Sequence, residues 1–96
     1  EIAAEKVRAI LGRDKARDVY DLWFLLKKGV PLDEALIAKN LKIAGMHFNK
    51  KELLSAVAAK EKMWEMDLQK LILGNLPPFQ KVQEELVRFI DKSDAA

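Results

Sequence analysis

Glycine and proline residues divide this chain into segments whose apolar residues recur at helical spacing, and this punctuation limits the fold more than any other feature. The chain has four glycines and three prolines, all at the ends of such segments or between them: Gly12, Gly29, Gly45, Gly74, Pro31, Pro77 and Pro78. Glycine readily adopts the left-handed conformation that ends many helices, so each glycine predicts a helix end. Proline lacks a backbone N–H and is tolerated between helices.

The intervals between these residues predict five helices, spanning roughly residues 2–11, 14–28, 33–44, 50–73 and 79–91. No segment alternates apolar and polar residues long enough to indicate a strand. We therefore expect an all-α fold, a compact bundle of about five helices. The chain is short enough for one domain, which we expect to cover residues 1–92, with 93–96 as a frayed tail.

The fourth predicted helix is too long for a domain of this size. As one continuous helix it would extend about 36 Å. Its apolar seam is also interrupted by the run Lys60-Glu61-Lys62. We therefore expect a break near residue 60.

The predicted starts of the third and fourth helices agree with the positions of the glycines and prolines between the helices. Asp33 and Asn49 stand just before the third and fourth helices. Their side-chain oxygens can accept from the unpaired backbone N–H groups of a first helical turn. Both residues are therefore predicted N-caps.

Composition excludes several classes of site. Half of the residues are hydrophobic and 33% are charged, as in ordinary globular proteins and unlike disordered chains. The lack of cysteine excludes a disulfide scaffold and a thiol nucleophile, and a single histidine excludes a multi-histidine metal site. No apolar run reaches the roughly 18 residues of a membrane span and no signal-peptide pattern is present, so we expect a cytoplasmic protein.

The net charge of +2 is unevenly distributed. Residues 1–51 carry 11 basic and 7 acidic side chains, whereas residues 52–96 carry 6 and 8. This asymmetry favours weak attraction of an anionic partner to the first half. It falls short of the concentrated basic face of a dedicated nucleic-acid-binding protein, and a mixed, solvated surface is the simpler interpretation.

Lys6 lies inside the apolar arc of the first predicted helix, beside Ile2 and Ile10. A lysine in that position extends outward to water, pairs with an acid, or reaches into a cleft towards an anion. The position alone favours the first two outcomes.

Acidic residues are similarly out of place in the second predicted helix. From Val19 to Leu26 every residue except Asp21 is apolar or aromatic, which predicts a buried central helix. Asp18 and Asp21 share one stripe of that helix with Asp14. A buried carboxylate needs a partner, which leaves two hypotheses open: an internal ion network that joins the first two helices, or a set of charged groups that face a site.

The large apolar side chains of these helices are at helical spacing, and we expect them to form the core: Trp23, Phe24, Met63, Trp64 and Met66.

Two stretches at the start of the chain carry a family resemblance. Residues 4–13 read AEKVRAILGR and residues 15–26 read KARDVYDLWFLL. Together they resemble a motif of the AbiEii/AbiGii-type nucleotidyltransferase toxins of abortive-infection toxin–antitoxin systems. A softer similarity extends to Trp64, the pair Asp67-Leu68 and the run Leu76-Pro77-Pro78-Phe79.

The resemblance implies a nucleotidyltransferase that uses magnesium and a nucleoside triphosphate, with an antitoxin as partner and, in relatives, tRNA as acceptor. By match to the motif, Lys6 is the functional lysine that contacts the triphosphate. Asp18 and Asp21 are the carboxylates that support catalysis, one as base or orienting partner. Arg13 and Arg17 hold those acids or the phosphates.

One part of the family pattern is not found in this chain. The resemblance implies a metal site in an N-terminal sheet domain, at a Gly-Gly or Gly-Ser turn followed by Asp-x-Asp, and no stretch here matches it. The first residue is Glu1 rather than Met, so we expect the chain to be the C-terminal helical part of a longer protein, inactive alone. The alternative is a stand-alone helical module that binds protein or RNA without catalysis.

Overall fold

The part of the chain that the structure describes is built from α-helices joined by short turns. The structure is a computed structural model that describes residues 2–13, 15–69 and 76–93. The helices are α1 (Ile2–Gly12), α2 (Ala16–Lys27), α3 (Glu34–Ile43), α4 (Lys50–Ala58), α5 (Trp64–Leu68) and α6 (Phe79–Ser93). These ranges contain no strand, which confirms the predicted all-α bundle. None of the described helices is long and apolar enough to cross a membrane.

The predicted break in the fourth helix is confirmed. α4 ends at Ala58, and a 3-10 turn over Glu61–Met63 separates it from α5. Lys60, in the intervening turn, is only 3% exposed, and its Nζ donates to the backbone oxygen of Ile10 at 3.2 Å. This lysine turns inward to meet the end of α1. The predicted continuation to residue 73 lies outside the described residues.

Both predicted N-caps are confirmed. The Asp33 side chain accepts from the backbone N–H of Leu36 at 3.2 Å, and Asn49 accepts from that of Glu52 at the same distance. The second helix begins at Ala16 rather than at the predicted residue 14, which itself lies outside the described residues.

A helix ends at three of the four predicted glycines, and two of these glycines are in the left-handed conformation. Gly29 and Gly45 have positive φ angles of 91° and 75°, as a left-handed helix end requires. α1 also ends at Gly12, but this glycine is its last helical residue and has no positive φ, so it lacks the left-handed conformation. The backbone N–H of Arg13 still donates to the oxygen of Ala9 at 3.0 Å, so helical hydrogen bonding continues past Gly12. Gly74 lies outside the described residues.

The first two helices occupy the centre of the fold. α1 packs against α2, α3 and α4, and α2 also contacts α5 and α6. Their fully buried side chains include Val7, Ile10, Val19 and Leu22. Burial of this apolar surface supplies most of the favourable free energy of folding.

The predicted aromatic and methionine core is confirmed only in part. Trp23 and Trp64 are buried and Met63 is half-buried, but Phe24 is 42% exposed and Met66 is 76% exposed. The described neighbours cover one side of α2 and leave Phe24 on the other, so the predicted central position of α2 is confirmed, but the helix is not buried on every side.

Candidate functional site

Lys6 and Asp21 form an ion pair where α1 and α2 pack together. The Lys6 Nζ lies 3.0 Å from the Asp21 Oδ2, and each side chain keeps more than a quarter of its surface exposed. Of the outcomes predicted for Lys6, the structure shows pairing with an acid. Because both groups remain accessible, the pair can exchange partners with an anion or a hydroxyl from solution.

Asp18 is held in a different way, although it lies only one helical turn from Asp21. Its carboxylate is 1% exposed and accepts two hydrogen bonds from Arg13, at 2.8 Å from Nε and 3.0 Å from Nη2. A two-point contact of this kind suits the planar guanidinium and compensates a buried carboxylate. The Asp18 hydrogen bond, together with the Asp18 charge, raises the pKa of Arg13 above its ordinary value.

Arg17 extends the cluster towards solvent. Its Nε lies 3.7 Å from the Asp21 Oδ2, one helical turn along α2, and most of its side chain is exposed. Together with Arg13, it borders a cavity of about 300 Å³ that is also lined by Lys15 and Asp67. The five residues predicted for the site thus fall into two ion-paired groups, one centred on the buried Asp18 carboxylate and one on the accessible Asp21 carboxylate.

The internal network that the sequence left open as one hypothesis is present. Lys6, Arg13 and Arg17 each pair with Asp18 or Asp21. The same groups also form a charged, partly exposed face, as the other hypothesis requires. Ion pairing alone therefore does not separate a structural role from a functional one.

Asp67 is a member of this neighbourhood that the sequence analysis did not assign. Its Oδ2 accepts from the backbone N–H of Ala16 at 3.2 Å, at the first turn of α2. The residue before that turn is Lys15, whose side chain cannot act as an acceptor, and no side-chain cap forms there. A carboxylate from α5 takes the place of the missing local cap. The basic residue at the N-cap position was the signal that a distant acid was needed.

The described residues do not fit a metal centre, because no group of three or more His, Cys, Asp or Glu side chains is close enough together there to hold an ion. The two acids of α2 pair with arginine and lysine instead.

The family model for the nucleotidyl transferase AbiEii toxin of type IV toxin–antitoxin systems matches residues 1–86. The chain belongs to this family. No curated protein and no solved structure matches it. The AbiEii match includes the charged face of α1 and α2, and the family is one of nucleotidyltransferase-like toxins of systems that pair a toxin with an antitoxin.

Proposed function

We propose that this chain is the helical domain of an AbiEii-type nucleotidyltransferase and that its charged face helps to bind and transfer a nucleotide. The accessible Lys6–Asp21 pair carries this proposal. It joins a cation able to contact phosphate and a carboxylate able to accept a proton, at a point flanked by the arginines Arg13 and Arg17.

Each residue has a chemical role in this proposal. Lys6 and Arg17 donate to the phosphates of a nucleoside triphosphate, which replaces Asp21 as their partner. Asp21 then accepts the proton of the acceptor hydroxyl. At the same time the hydroxyl oxygen bonds to the α-phosphorus of the nucleotide, and pyrophosphate leaves. Asp18 is buried and cannot reach substrate, so it acts as the orienting partner that fixes Arg13.

A second domain completes the site in this proposal. Phosphoryl transfer commonly relies on metal ions to neutralise charge, and the described residues offer no cluster for one. We therefore assign the magnesium ligands to an N-terminal domain outside this chain, with tRNA as acceptor and a cytoplasmic site of action. The 96 residues alone are expected to transfer no nucleotide.

The sequence of the native gene upstream of the codon for Glu1 is the first test. A reading frame that encodes a Gly-Ser or Gly-Gly turn followed by Asp-x-Asp supports the two-domain enzyme. A start codon immediately before Glu1 overturns it.

The second test is transfer of a labelled nucleotide to tRNA by the full-length protein. Lys6→Ala and Asp21→Asn are expected to lower the rate at least a hundredfold, in the range that loss of a catalytic acid or base produces. Lys39→Ala, an exposed lysine of α3, is the matched control and should leave the rate unchanged. Normal rates in both site variants would remove these residues from the chemistry.

The alternative of a binding module without catalysis is favoured by the ion pairs themselves, because Lys6, Arg17 and Asp21 already satisfy one another. If this network serves only to join the helices, Asp21→Ala will lower the free energy of unfolding substantially. Unchanged stability indicates that the acid serves a site.

A further inference from the structure

The outer side of α2 carries an aromatic groove beyond the charged face. The groove encloses about 380 Å³ and is lined by five residues from α2 and its C-terminal turn and by one proline that precedes α6: Tyr20, Trp23, Phe24, Lys27, Lys28 and Pro77. The rings of Tyr20 and Phe24 stack with their centroids 6.2 Å apart and 23° between their planes. Phe24 is one of the few large apolar side chains left exposed among the described residues.

Two lysines supply positive charge to this groove. The Lys28 Nζ lies 4.7 Å from the centroid of the Phe24 ring, and the Lys27 Nζ lies 5.0 Å from that of Trp23. Lys27 also pairs with Glu85 at 3.3 Å. Lys28 pairs with no acid in the described part of the chain, so its charge is available to an anionic ligand.

The groove lies on the same face of α2 as two residues of the candidate site, Arg17 and Asp21. Positions 17, 21, 24 and 28 are separated by four, three and four residues, and such positions lie on one face of a helix. Arg17, Asp21, Phe24 and Lys28 therefore form a row along α2, and the row extends about 16 Å from Arg17 to Lys28. Cations stand at both ends of this face, with the Asp21 carboxylate and the exposed Phe24 ring between them.

We propose that this face of α2 binds a short single-stranded segment of polynucleotide, with one base stacked on Phe24 and a phosphate next to that base at Lys28. Aromatic rings that alternate with cations are the usual means of holding unpaired strands. The Lys28 ammonium moves from the ring to a phosphate as the base takes its place. An extended acidic peptide is less suitable, because it needs backbone partners and α2 uses its own within the helix.

This inference rests on the proposed function, since it places an acceptor strand next to Asp21. Binding can nevertheless be measured without catalysis. The probe is a fluorescently labelled oligoadenylate RNA, titrated with the 96-residue chain at low salt and followed by anisotropy. Phe24→Ala is expected to weaken binding about tenfold, as loss of a stacking ring does elsewhere. Lys28→Ala is expected to weaken it less and to reduce the salt dependence.

Matched variants separate this effect from a general loss of structure. Phe24→Tyr retains a ring and should bind as the wild type does. Ile43→Ala removes another exposed apolar side chain, Lys42→Ala removes another exposed lysine of α3, and both should leave affinity unchanged. Circular dichroism of each variant checks that the helices are intact.

Three results would overturn the inference: no binding of the RNA by the wild-type chain, equal affinity of the Phe24→Ala variant, or equal affinity for an oligoglutamate peptide. None of them bears on the proposed function, whose tests are the upstream reading frame and the Lys6-dependent transfer rate. Loss of transfer in Lys6→Ala with undisturbed RNA binding would support both proposals independently.

Discussion

At the scale of single residues, Asp18 and Asp21 differ in the fraction of the side chain that is exposed to solvent. Asp18 is almost completely buried and needs both donors of Arg13 to compensate the loss of hydration. Asp21 is 27% exposed and is shared by Lys6 and Arg17. The same residue type thus serves a fixed internal contact at one position and an exchangeable contact at the other.

The stability of single-residue variants should follow this difference. Asp18→Ala removes two hydrogen bonds to a charged group and leaves a small void, so we expect it to lower the free energy of unfolding by about 1–3 kcal/mol. Arg17→Ala breaks a longer, exposed pair within one helix and should cost less than about 0.5 kcal/mol. Urea unfolding of both variants measures the contrast. Equal losses would contradict the assignment of Asp18 as the buried partner.

At the scale of helices, Lys60 and Asp67 connect elements that are distant in sequence. The Lys60 ammonium meets the oxygen of Ile10 near the C-terminal end of α1, where the helix dipole favours a cation. The Asp67 carboxylate meets the N–H of Ala16 at the start of α2, where the dipole favours an anion. Lys60 lies in the turn after α4 and Asp67 lies in α5. Because the helix breaks between α4 and α5, the two side chains can reach these two helix ends.

Lys60 provides a test of this connection. Lys60→Ala removes both the hydrogen bond and the packing of the aliphatic stem, and we expect a loss of about 2–4 kcal/mol. Lys60→Met retains most of the stem and removes the donor, so it should cost less. Thermal or urea unfolding of the two variants gives the comparison. A larger loss for methionine than for alanine would show that the stem is not packed as described.

At the scale of the whole molecule, Glu85 holds α6 against α2. Its Oε1 accepts from the indole Nε1 of Trp23 at 3.1 Å and lies 3.3 Å from the Lys27 Nζ. The indole hydrogen bond, followed by the contact with Lys27, lowers the pKa of Glu85 below its ordinary value of 4.5. The folded protein therefore prefers the ionised carboxylate more strongly than the unfolded chain does.

The stability of the whole fold should depend on pH accordingly. Since the folded pKa of Glu85 is the lower one, its contribution is complete above the ordinary value of 4.5 and is lost as the pH falls through the lowered pKa. We expect Glu85→Gln to flatten the acid side of the stability profile, measured as unfolding midpoint against pH. Glu84→Gln, an exposed neighbour on α6, is the control. Parallel profiles for the wild type and Glu85→Gln would refute this role.

Local sequence signals determined most of the secondary structure. Helical periodicity and the caps at Asp33 and Asn49 depend on residues three or four positions apart, so they can be found in the sequence. The left-handed ends at Gly29 and Gly45 are equally local, whereas α1 ends at Gly12 without a left-handed residue and its last helical hydrogen bond is donated by Arg13.

The tertiary structure decided which side chains meet and which stay exposed. The contacts of Ala16 with Asp67, Lys60 with Ile10 and Trp23 with Glu85 join residues 51, 50 and 62 positions apart. No local pattern encodes such pairs, because they depend on how the helices pack. The charged residues of the candidate site could be named from the sequence, but only packing made Asp18 a buried anchor and left Asp21 accessible beside Lys6.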